Sequence, residues 1–206
     1  EFVTNIAKSN KIHEMMTTEG YKLRHASAKL VETDIIPESD VGVVVRNPVN
    51  TIAKVTFECQ IEYDICSFLP DELEELELLN TANFKVDNLP KKLRIITFGS
   101  SFNQPIDNLP SNLEFLELST SFNQPLQKLP NSLKYLRIGR EFDQELDNLP
   151  DSLLALYCST NKITQLDNLP PNLEILVCSD NQIIQLDNLP QSLIELICEN
   201  NKFINN

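Results

Sequence analysis

A Leu-Pro dipeptide recurs every twenty residues through the last two-thirds of this chain. It occurs seven times, from Leu69-Pro70 to Leu189-Pro190, and a similar run of leucines and polar residues follows each copy. A fixed period in this range is typical of stacked repeats, in which no unit has a core of its own and each packs against its neighbours. The period therefore predicts a solenoid of seven 20-residue repeats over residues 69–206, preceded by a capping region at residues 1–68.

Apolar residues occupy fixed positions in every repeat. With Leu73 as position 1 of the first repeat, positions 1, 4, 6, 14 and 17 are nearly always apolar. Positions 4 and 6 alternate with variable residues at positions 3, 5 and 7, which is the period of a strand with one buried face. The Pro at position 18 cannot lie in a central strand, so it marks the return from the outer side. We expect an α/β-class solenoid, mostly β and irregular, with a parallel β-sheet on the concave face and little room for outer helices.

Asparagine forms a column that changes position along the chain. In the first four repeats Asn or Asp stands at position 11, and in the last three Asn stands at position 9. A buried Asn side chain can satisfy backbone groups that a solenoid turn leaves without a partner. We predict two stacked polar ladders that change column between the fourth and fifth repeats, with an aromatic spine in the first block. The ladder residues are Asn83, Asn103, Asn123 and Asp143, then Asn161, Asn181 and Asn201, and the spine residues are Phe102, Phe122 and Phe142.

The frame resembles a short leucine-rich repeat, and three tetrapeptides carry a narrower resemblance. Phe102-Asn103-Gln104-Pro105 and Phe122-Asn123-Gln124-Pro125, with Phe142-Asp143-Gln144-Glu145 as a degraded copy, resemble the FNIP repeat. That repeat is a relative of the leucine-rich repeat found largely in social amoebae and in giant viruses of amoebae. The last three repeats follow the ordinary leucine-rich-repeat arrangement instead. Proteins with FNIP-like repeats often carry an F-box ahead of them, which implies a substrate-recognition adaptor of a ubiquitin ligase, although residues 1–68 lack the Leu-Pro-led three-helix pattern of an F-box.

The charge of the chain restricts its partners. The formal net charge is −13, and residues 69–206 hold 10 basic and 20 acidic residues. A binder of the nucleic-acid backbone needs a basic face, so we expect no nucleic-acid partner. The chain has no apolar run of the length that spans a membrane, so we expect no membrane partner. Its five cysteines lack the spacing of a disulfide framework, which favours a cytoplasmic location, the host cytoplasm if the chain is viral.

Two columns of chemically active residues invite interpretation as metal or redox sites. Cys158, Cys178 and Cys198 stand at position 6 in consecutive repeats, where they should stack about 4.8 Å apart. A straight column does not offer the converging ligands of a zinc site, so we interpret these cysteines as small core residues. Stacked carboxylates bind calcium in some solenoids, but we interpret the Asp residues at position 15 as solvated turn residues. They are Asp87, Asp107, Asp147, Asp167 and Asp187.

Catalysis has little support in the sequence. The two histidines, His13 and His25, both lie outside the repeats, and four glycines are too few for a phosphate-binding or dinucleotide-binding loop. We therefore expect no enzyme activity, no cofactor and no metal. An enzyme that uses the N-terminal histidines is the least favoured alternative.

The open face of the strands is the surface that we expect to bind a partner. It carries positions 3, 5 and 7 of each repeat, with aromatic and aliphatic residues near its middle. Such a stripe is unusual for a solvated sheet and is typical of an interface, although strands favour these residue types in any case. Glu117 and Arg137 should lie on adjacent strands of one column, close enough to pair. The predicted binding residues are Ile95, Phe115, Glu117, Tyr135, Arg137, Tyr157, Ile175 and Val177.

Both ends of the solenoid need cover. Residues Thr17–Glu32 fit a helix, and Val41–Arg46, Thr51–Glu58 and Ile61–Phe68 fit strands that would cap the first repeat. The last strand is followed only by the short segment Asn-Lys-Phe-Ile-Asn-Asn, so a homodimer through the C-terminal repeat is one way of covering it. The function that we favour is a non-catalytic protein-interaction module that binds a protein partner on the concave face, and the alternative is the ubiquitin-ligase adaptor.

Overall fold

The computed structural model of the chain describes residues 43–46, 52–57, 66, 69–79 and 83–204. Within these ranges nine strands form one sheet in chain order, with β2 to β9 parallel and β1 antiparallel to β2. The prediction of a leucine-rich-repeat solenoid with a parallel sheet is confirmed. The strands are β1 (Val43–Arg46), β2 (Ile52–Phe57), β3 (Glu75–Leu78), β4 (Ile95–Phe98), β5 (Phe115–Glu117), β6 (Tyr135–Arg137), β7 (Ala155–Tyr157), β8 (Ile175–Val177) and β9 (Glu195–Ile197).

The Leu-Pro dipeptide acts by opening a turn before each strand. The N–H of Leu at position 1 donates to the carbonyl of the Pro three residues earlier, at 3.0–3.1 Å in all seven repeats. Pro has no N–H to offer a sheet, but its carbonyl is free to close such a turn. The strand then covers only three or four residues, because the next turn begins at once. None of the described residues is α-helical, as the short repeat predicts.

The register places equivalent residues of successive repeats side by side. From β3 to β9 each residue pairs with the one twenty positions later, for example Glu75 with Ile95 and Phe115 with Tyr135. β2 joins the same sheet at an offset of 21, since Lys54 pairs with Glu75. Every column of the repeat is therefore a physical column in the structure.

The core consists of stacked leucines and an aromatic spine. Leu at positions 1 and 4 is fully buried through most of the solenoid, and each such side chain contributes about 1.5–3 kcal/mol on burial. The rings of Phe102 and Phe122 stack with centroids 6.2 Å apart, and those of Phe122 and Phe142 with centroids 6.4 Å apart. All three rings are fully buried, so the predicted spine is confirmed. Phe98, which sequence analysis did not include, extends the spine at 3.9 Å from Phe102.

The first polar ladder accepts hydrogen bonds from the repeat that follows it. Asn83 Oδ1 accepts the backbone N–H of Asn103 at 2.9 Å, and Asn103 Oδ1 accepts that of Asn123 at 2.9 Å. Asn123 Oδ1 accepts the N–H of Asp143 at 3.1 Å. A neighbouring Gln also donates to each of these three oxygens. These side chains are exposed or half-buried, which differs from the buried ladder that we expected.

The second ladder has the opposite direction. Asn181 Oδ1 accepts the N–H of Ile163 in the preceding repeat at 3.1 Å, and Asn201 Oδ1 accepts that of Ile183 at 3.1 Å. At the boundary Asn161 Oδ1 accepts the N–H of Phe142 at 2.9 Å. The fourth repeat therefore donates to both ladders, and the predicted change of column between the fourth and fifth repeats is confirmed.

The residues ahead of the repeats are described only in part. Strands β1 and β2 lie within the predicted Val41–Arg46 and Thr51–Glu58, and Val55 and Phe57 of β2 are buried against the repeats. The helix expected at Thr17–Glu32 and most of the strand expected at Ile61–Phe68 lie outside the described residues. Cys66, the residue described there, lies in a single 3₁₀ turn rather than in a strand. The boundary at residue 69 and the capping role of residues 1–68 stay predictions.

Candidate functional site

The strand register arranges the predicted binding residues in two columns on one face of the sheet. Position 3 forms one column and position 5 forms the other. Ile175 is only 2% exposed and offers little contact surface, whereas the other predicted residues are half-buried or exposed. In chain order the first column contains Ile95, Phe115, Tyr135, Ala155 and Ile175, and the second contains Thr97, Glu117, Arg137, Tyr157 and Val177.

Position 7 does not belong to this face. From β5 onward the strands end at position 5, so position 7 lies in the turn that follows. Ser119 at this position is buried, and its Oγ donates to the carbonyl of Phe102 at 2.6 Å. Gly139 lies so close to the preceding turn that an added Cβ would be 1.8 Å from the Ser119 carbonyl oxygen. The close approach of successive turns therefore explains the glycine at position 139, and our assignment of position 7 to the open face was wrong at Ser119.

Three aromatic rings pack against one another at the middle of the face. Phe115 and Tyr135 stack at a centroid distance of 4.2 Å and an interplanar angle of 7°. Tyr135 and Tyr157 are tilted by 40° at 5.1 Å. Because adjacent strands hold the rings in contact, the rings bury their faces and present their edges. Burial also raises the pKa of both tyrosine hydroxyls above the usual 10.

An ion pair lies beside the aromatic rings. Arg137 Nε is 3.6 Å from Glu117 Oε1, so the predicted pairing is confirmed. Burial raises the pKa of Glu117, and Arg137 only partly opposes that effect. The side chain of Arg137 is 58% exposed. The Arg137 side chain is therefore largely open to solvent, and it also lies within hydrogen-bonding reach of the Tyr135 hydroxyl.

The first strands of the face are closed by a network of charges. Lys54 Nζ is 2.5 Å from Glu75 Oε1 and 2.8 Å from Glu77 Oε1. The hydroxyl of Thr56 donates to the other oxygen of Glu77 at 2.9 Å. Lys54 is buried by these contacts. Since its charge is already balanced, this part of the face offers a partner less than the aromatic part does.

A groove of about 710 Å³ runs along the C-terminal ends of β5 to β8. Its walls combine the three rings, the Glu117–Arg137 pair and the turns after the strands. The turn residues at position 8 were not predicted, because the alternation of a strand defines its open face only as far as position 7. We call this site the aromatic groove. Its lining residues are Phe115, Glu117, Leu118, Thr120, Tyr135, Arg137, Ile138, Gly139, Arg140, Tyr157, Ser159, Thr160 and Val177.

The turns at position 8 differ between the two blocks of repeats. Thr160, Asp180 and Asn200 have positive φ angles of 61°, 55° and 54°. Asp and Asn tolerate this left-handed conformation, whereas a β-branched Thr is strained there. Arg140, at the same position in the fourth repeat, does not share it. The strained Thr160 is also a residue of the aromatic groove.

The cysteine column and the Asp column were the two candidates for a redox or metal site. Cys158 and Cys178 are fully buried, and burial raises the pKa of Cys178 to about 12 and that of Cys158 well above its usual range. Such thiols are poor nucleophiles because they stay protonated. Among the described residues no group of His, Cys, Asp and Glu is arranged to hold a metal. The position-15 Asp side chains are exposed, as we expected for turn residues.

A membrane span is not found in the described part of the chain, where no helix combines the necessary length and apolarity.

Comparison with known proteins identifies the repeats. The FNIP Repeat family matches residues 80–121 and 122–158, which contain all three Phe-Asn-Gln-type motifs. No curated protein matches the chain. CroV588, whose crystal structure is described as a novel circular leucine-rich-repeat protein, is 31% identical with a TM-score of 0.49, over 66% of this chain and 25% of CroV588. YopM from Yersinia enterocolitica WA-314 is 26% identical with a TM-score of 0.42, over 66% of this chain and 35% of YopM.

Proposed function

This chain is a leucine-rich-repeat protein with FNIP repeats, and we propose that it is a non-catalytic module that binds a protein partner on its concave face. Repeats of this class commonly mediate protein–protein interaction. The observation that carries the proposal is the aromatic groove, where three ring edges, a largely exposed Arg137 and a second arginine meet at the middle of the sheet. Aromatic and Arg residues are the types that dominate binding energy at protein interfaces.

The fold alone does not require these residues at the surface. The core is complete beneath them, since Leu116, Leu136 and Leu156 are fully buried on the opposite face of the same strands. Strand propensity favours aromatic residues in general, but it does not require an Arg between Glu117 and Tyr157. Side chains that stabilise neither the core nor the turns are available for contact with a partner.

The size of the sheet limits how a partner can use it. Eight parallel strands spaced about 4.8 Å apart, with about three residues each, give a face of roughly 34 Å by 10 Å. That flat area of about 340 Å² is less than half of the roughly 800 Å² that one partner contributes to a stable interface. A partner on this face must therefore also contact the rim, where the position-8 turns lie.

The test is capture of protein partners from the native cell with two matched double variants. Tyr135→Ala with Arg137→Ala removes the centre of the groove, and Lys128→Ala with Gln165→Ala removes exposed side chains outside the strands. We expect the first to lose the partner and the second to retain it, with circular dichroism showing that both stay folded. Equal recovery of the same partner by both variants would show that the concave face is not the binding surface.

The ubiquitin-ligase adaptor and the homodimer are two further predictions, and each has its own test. The ubiquitin-ligase adaptor depends on a segment ahead of the repeats, and co-purification of the full-length chain with a ligase scaffold would support it. The homodimer depends on the last repeat, where Leu196, Ile197 and Phe203 are each about two-fifths exposed and Ile204 is 67% exposed. Light scattering that gives a monomer mass at high concentration would exclude that dimer.

A further inference from the structure

The aromatic groove differs in charge from the rest of the solenoid. Its charged lining residues are Glu117, Arg137 and Arg140, which sum to +1. The repeats as a whole hold 10 basic and 20 acidic residues over residues 69–206. The lining of the groove is thus net positive in an acidic repeat array, and Glu77 and Glu195 are acidic neighbours that act on Glu117 and Tyr157.

Both arginines have donor capacity that the fold does not use. The 3.6 Å contact between Arg137 and Glu117 is long for a charge-assisted hydrogen bond, which is typically about 2.7–2.9 Å. Among the described residues Arg140 forms no ion pair. By contrast, Lys134 lies 2.9 Å from the carboxylate of Glu114. A guanidinium carries five N–H donors in a planar fork, which matches the two oxygens of a carboxylate.

Ser159, which lines the groove, has a hydroxyl without a hydrogen-bond partner. Within the described part of the chain, Ser159 Oγ is buried and makes no hydrogen bond. Its counterparts are both occupied, since Ser119 Oγ donates to Phe102 and Ser179 Oγ accepts the N–H of Glu199 at 3.0 Å. The next residue is Thr160, whose backbone is strained. The left-handed turn recurs at Asp180 and Asn200 and is a feature of the block, so the hydroxyl without a partner is the property that distinguishes this repeat.

We propose that the aromatic groove binds an extended acidic segment of the protein partner. A carboxylate of that segment lies between Arg137 and Arg140, and an adjacent apolar side chain packs on the ring edges of Phe115, Tyr135 and Tyr157. A segment fits better than a small free anion, because the groove is open, about 710 Å³ in volume and apolar beside its cations. This inference rests on the proposed function and specifies the chemistry of the partner.

The experiment uses a random 12-residue peptide library displayed on phage, selected against the purified chain. We expect enrichment of sequences that place Asp or Glu next to Leu, Ile or Phe. A synthetic peptide of the enriched sequence is then titrated by fluorescence anisotropy against three proteins. They are the native chain, Arg137→Gln with Arg140→Gln, and the control Lys134→Gln, which removes one positive charge from the same repeat outside the groove.

The expected affinities follow from the charge pairing. The double variant should bind the acidic peptide at least about tenfold more weakly, since charge-assisted hydrogen bonds are the strong ones. Lys134→Gln should change the affinity by less than about twofold, because it removes an exposed charge outside the groove. A peptide with Gln or Asn in place of the acidic residue should bind the native chain and the double variant equally well. Circular dichroism and thermal melting establish that each variant is folded.

Three results would overturn the inference and distinguish it from the proposed function. Enriched peptides that are basic or uncharged, and that lose binding on Tyr135→Ala but not on the arginine double variant, would refute the acidic segment and leave the concave face as the binding surface. Peptides indifferent to both changes would contradict both proposals. Absence of any enrichment would refute the peptide segment, while capture from the native cell decides the proposed function independently.

Discussion

Replacement of Asn181 by Ala tests the polar ladders most directly. The Asn181 side chain is 6% exposed, and its Nδ2 is 2.8 Å from the Cys158 carbonyl oxygen and 3.1 Å from that of Cys178. Its Oδ1 accepts the N–H of Ile163. Alanine removes two donors and one acceptor, so about three net hydrogen bonds at about 1 kcal/mol each are lost, or about 3 kcal/mol in total. The buried N–H of Ile163 then has no partner, which favours the upper part of that range.

Asn103→Ala is the matched variant in the first ladder. Asn103 Oδ1 accepts the N–H of Asn123 and the side-chain amide of Gln124 at 3.1 Å, at a half-buried site. Water can replace an acceptor at such a site, so we expect a loss of about 1 kcal/mol. The two variants remove the same chemical group from the two ladders and differ in burial and in donor use.

Urea denaturation measures the free energies of unfolding, and amide hydrogen exchange locates the damage. Asn181→Ala should accelerate exchange of the Ile163 amide, and Asn103→Ala should accelerate exchange of the Asn123 amide. Equal losses of stability in the two variants, or a loss below about 1 kcal/mol for Asn181→Ala, would refute the hydrogen-bond accounting. Exchange that rises in the repeat on the other side of the substituted Asn would refute the assigned direction of the ladders.

Further predictions concern the turns and the charges beside the groove. Gly139→Ala places a Cβ against backbone, so the turn must shift, and thermal melting should show a loss of about 1–3 kcal/mol. Thr160→Asn should raise the free energy of unfolding by about 1 kcal/mol, because Asn tolerates the left-handed conformation better than a β-branched residue. Burial raises the pKa of Glu117 above its usual 4.5. Its contribution to stability is therefore present below pH 4.5 and is lost as the pH rises through the folded pKa. Glu117→Gln should stabilise the chain at pH 7 but not at pH 3. Hydrogen bonds from Arg94 and Lys134 lower the pKa of Glu114. The contribution of Glu114 to stability is therefore present above pH 4.5 and is lost as the pH falls through the folded pKa. Glu114→Gln should destabilise the chain at pH 7 but not at pH 3.

The controls use neighbouring positions. Ser159→Ala, at the same repeat position as Gly139, removes a buried hydroxyl that has no hydrogen-bond partner, so we expect it to leave the free energy of unfolding unchanged or to raise it. A loss below about 0.5 kcal/mol for Gly139→Ala would show that the turn yields to a Cβ. For Glu117→Gln and Glu114→Gln, the free energy of unfolding is measured at pH 3 and at pH 7. The two substitutions should change it in opposite directions at pH 7. Effects of the same sign would contradict the assigned pKa directions.

The repeat frame was predictable because its columns depend on local rules. A Pro that cannot enter a sheet and leucines with the period of a strand are sufficient to predict the parallel sheet, the core columns and the spine of Phe102, Phe122 and Phe142. The change of the Asn column was equally visible, since it needs only the identity of residues at positions 9 and 11.

The direction of the ladders and the extent of the groove were not predictable from these rules. Which repeat donates to Asn181 depends on where its side chain lies between two turns, and the residue type alone does not specify this. The stacking of Phe115 on Tyr135 depends on the spacing of adjacent strands, and it half-buries rings that the pattern alone presents as fully exposed. Arg140 was missed because strand alternation ends before position 8, although the turn brings that residue back to the edge of the same face.

The opposite directions of the two ladders restrict how an array of this kind can grow by duplication. A copied repeat of either kind fits inside its own block, because its Asn finds a backbone donor on the correct side. The order of the two blocks matters for the same reason. If repeats with Asn at position 9 came first, the N–H groups on both sides of the joint would face a neighbour without the matching Asn, and the N–H from the second block, whose counterpart at Ile163 is buried, would lose its partner at a cost. We therefore expect a repeat added within either block to cost less stability than a repeat exchanged across the fourth repeat.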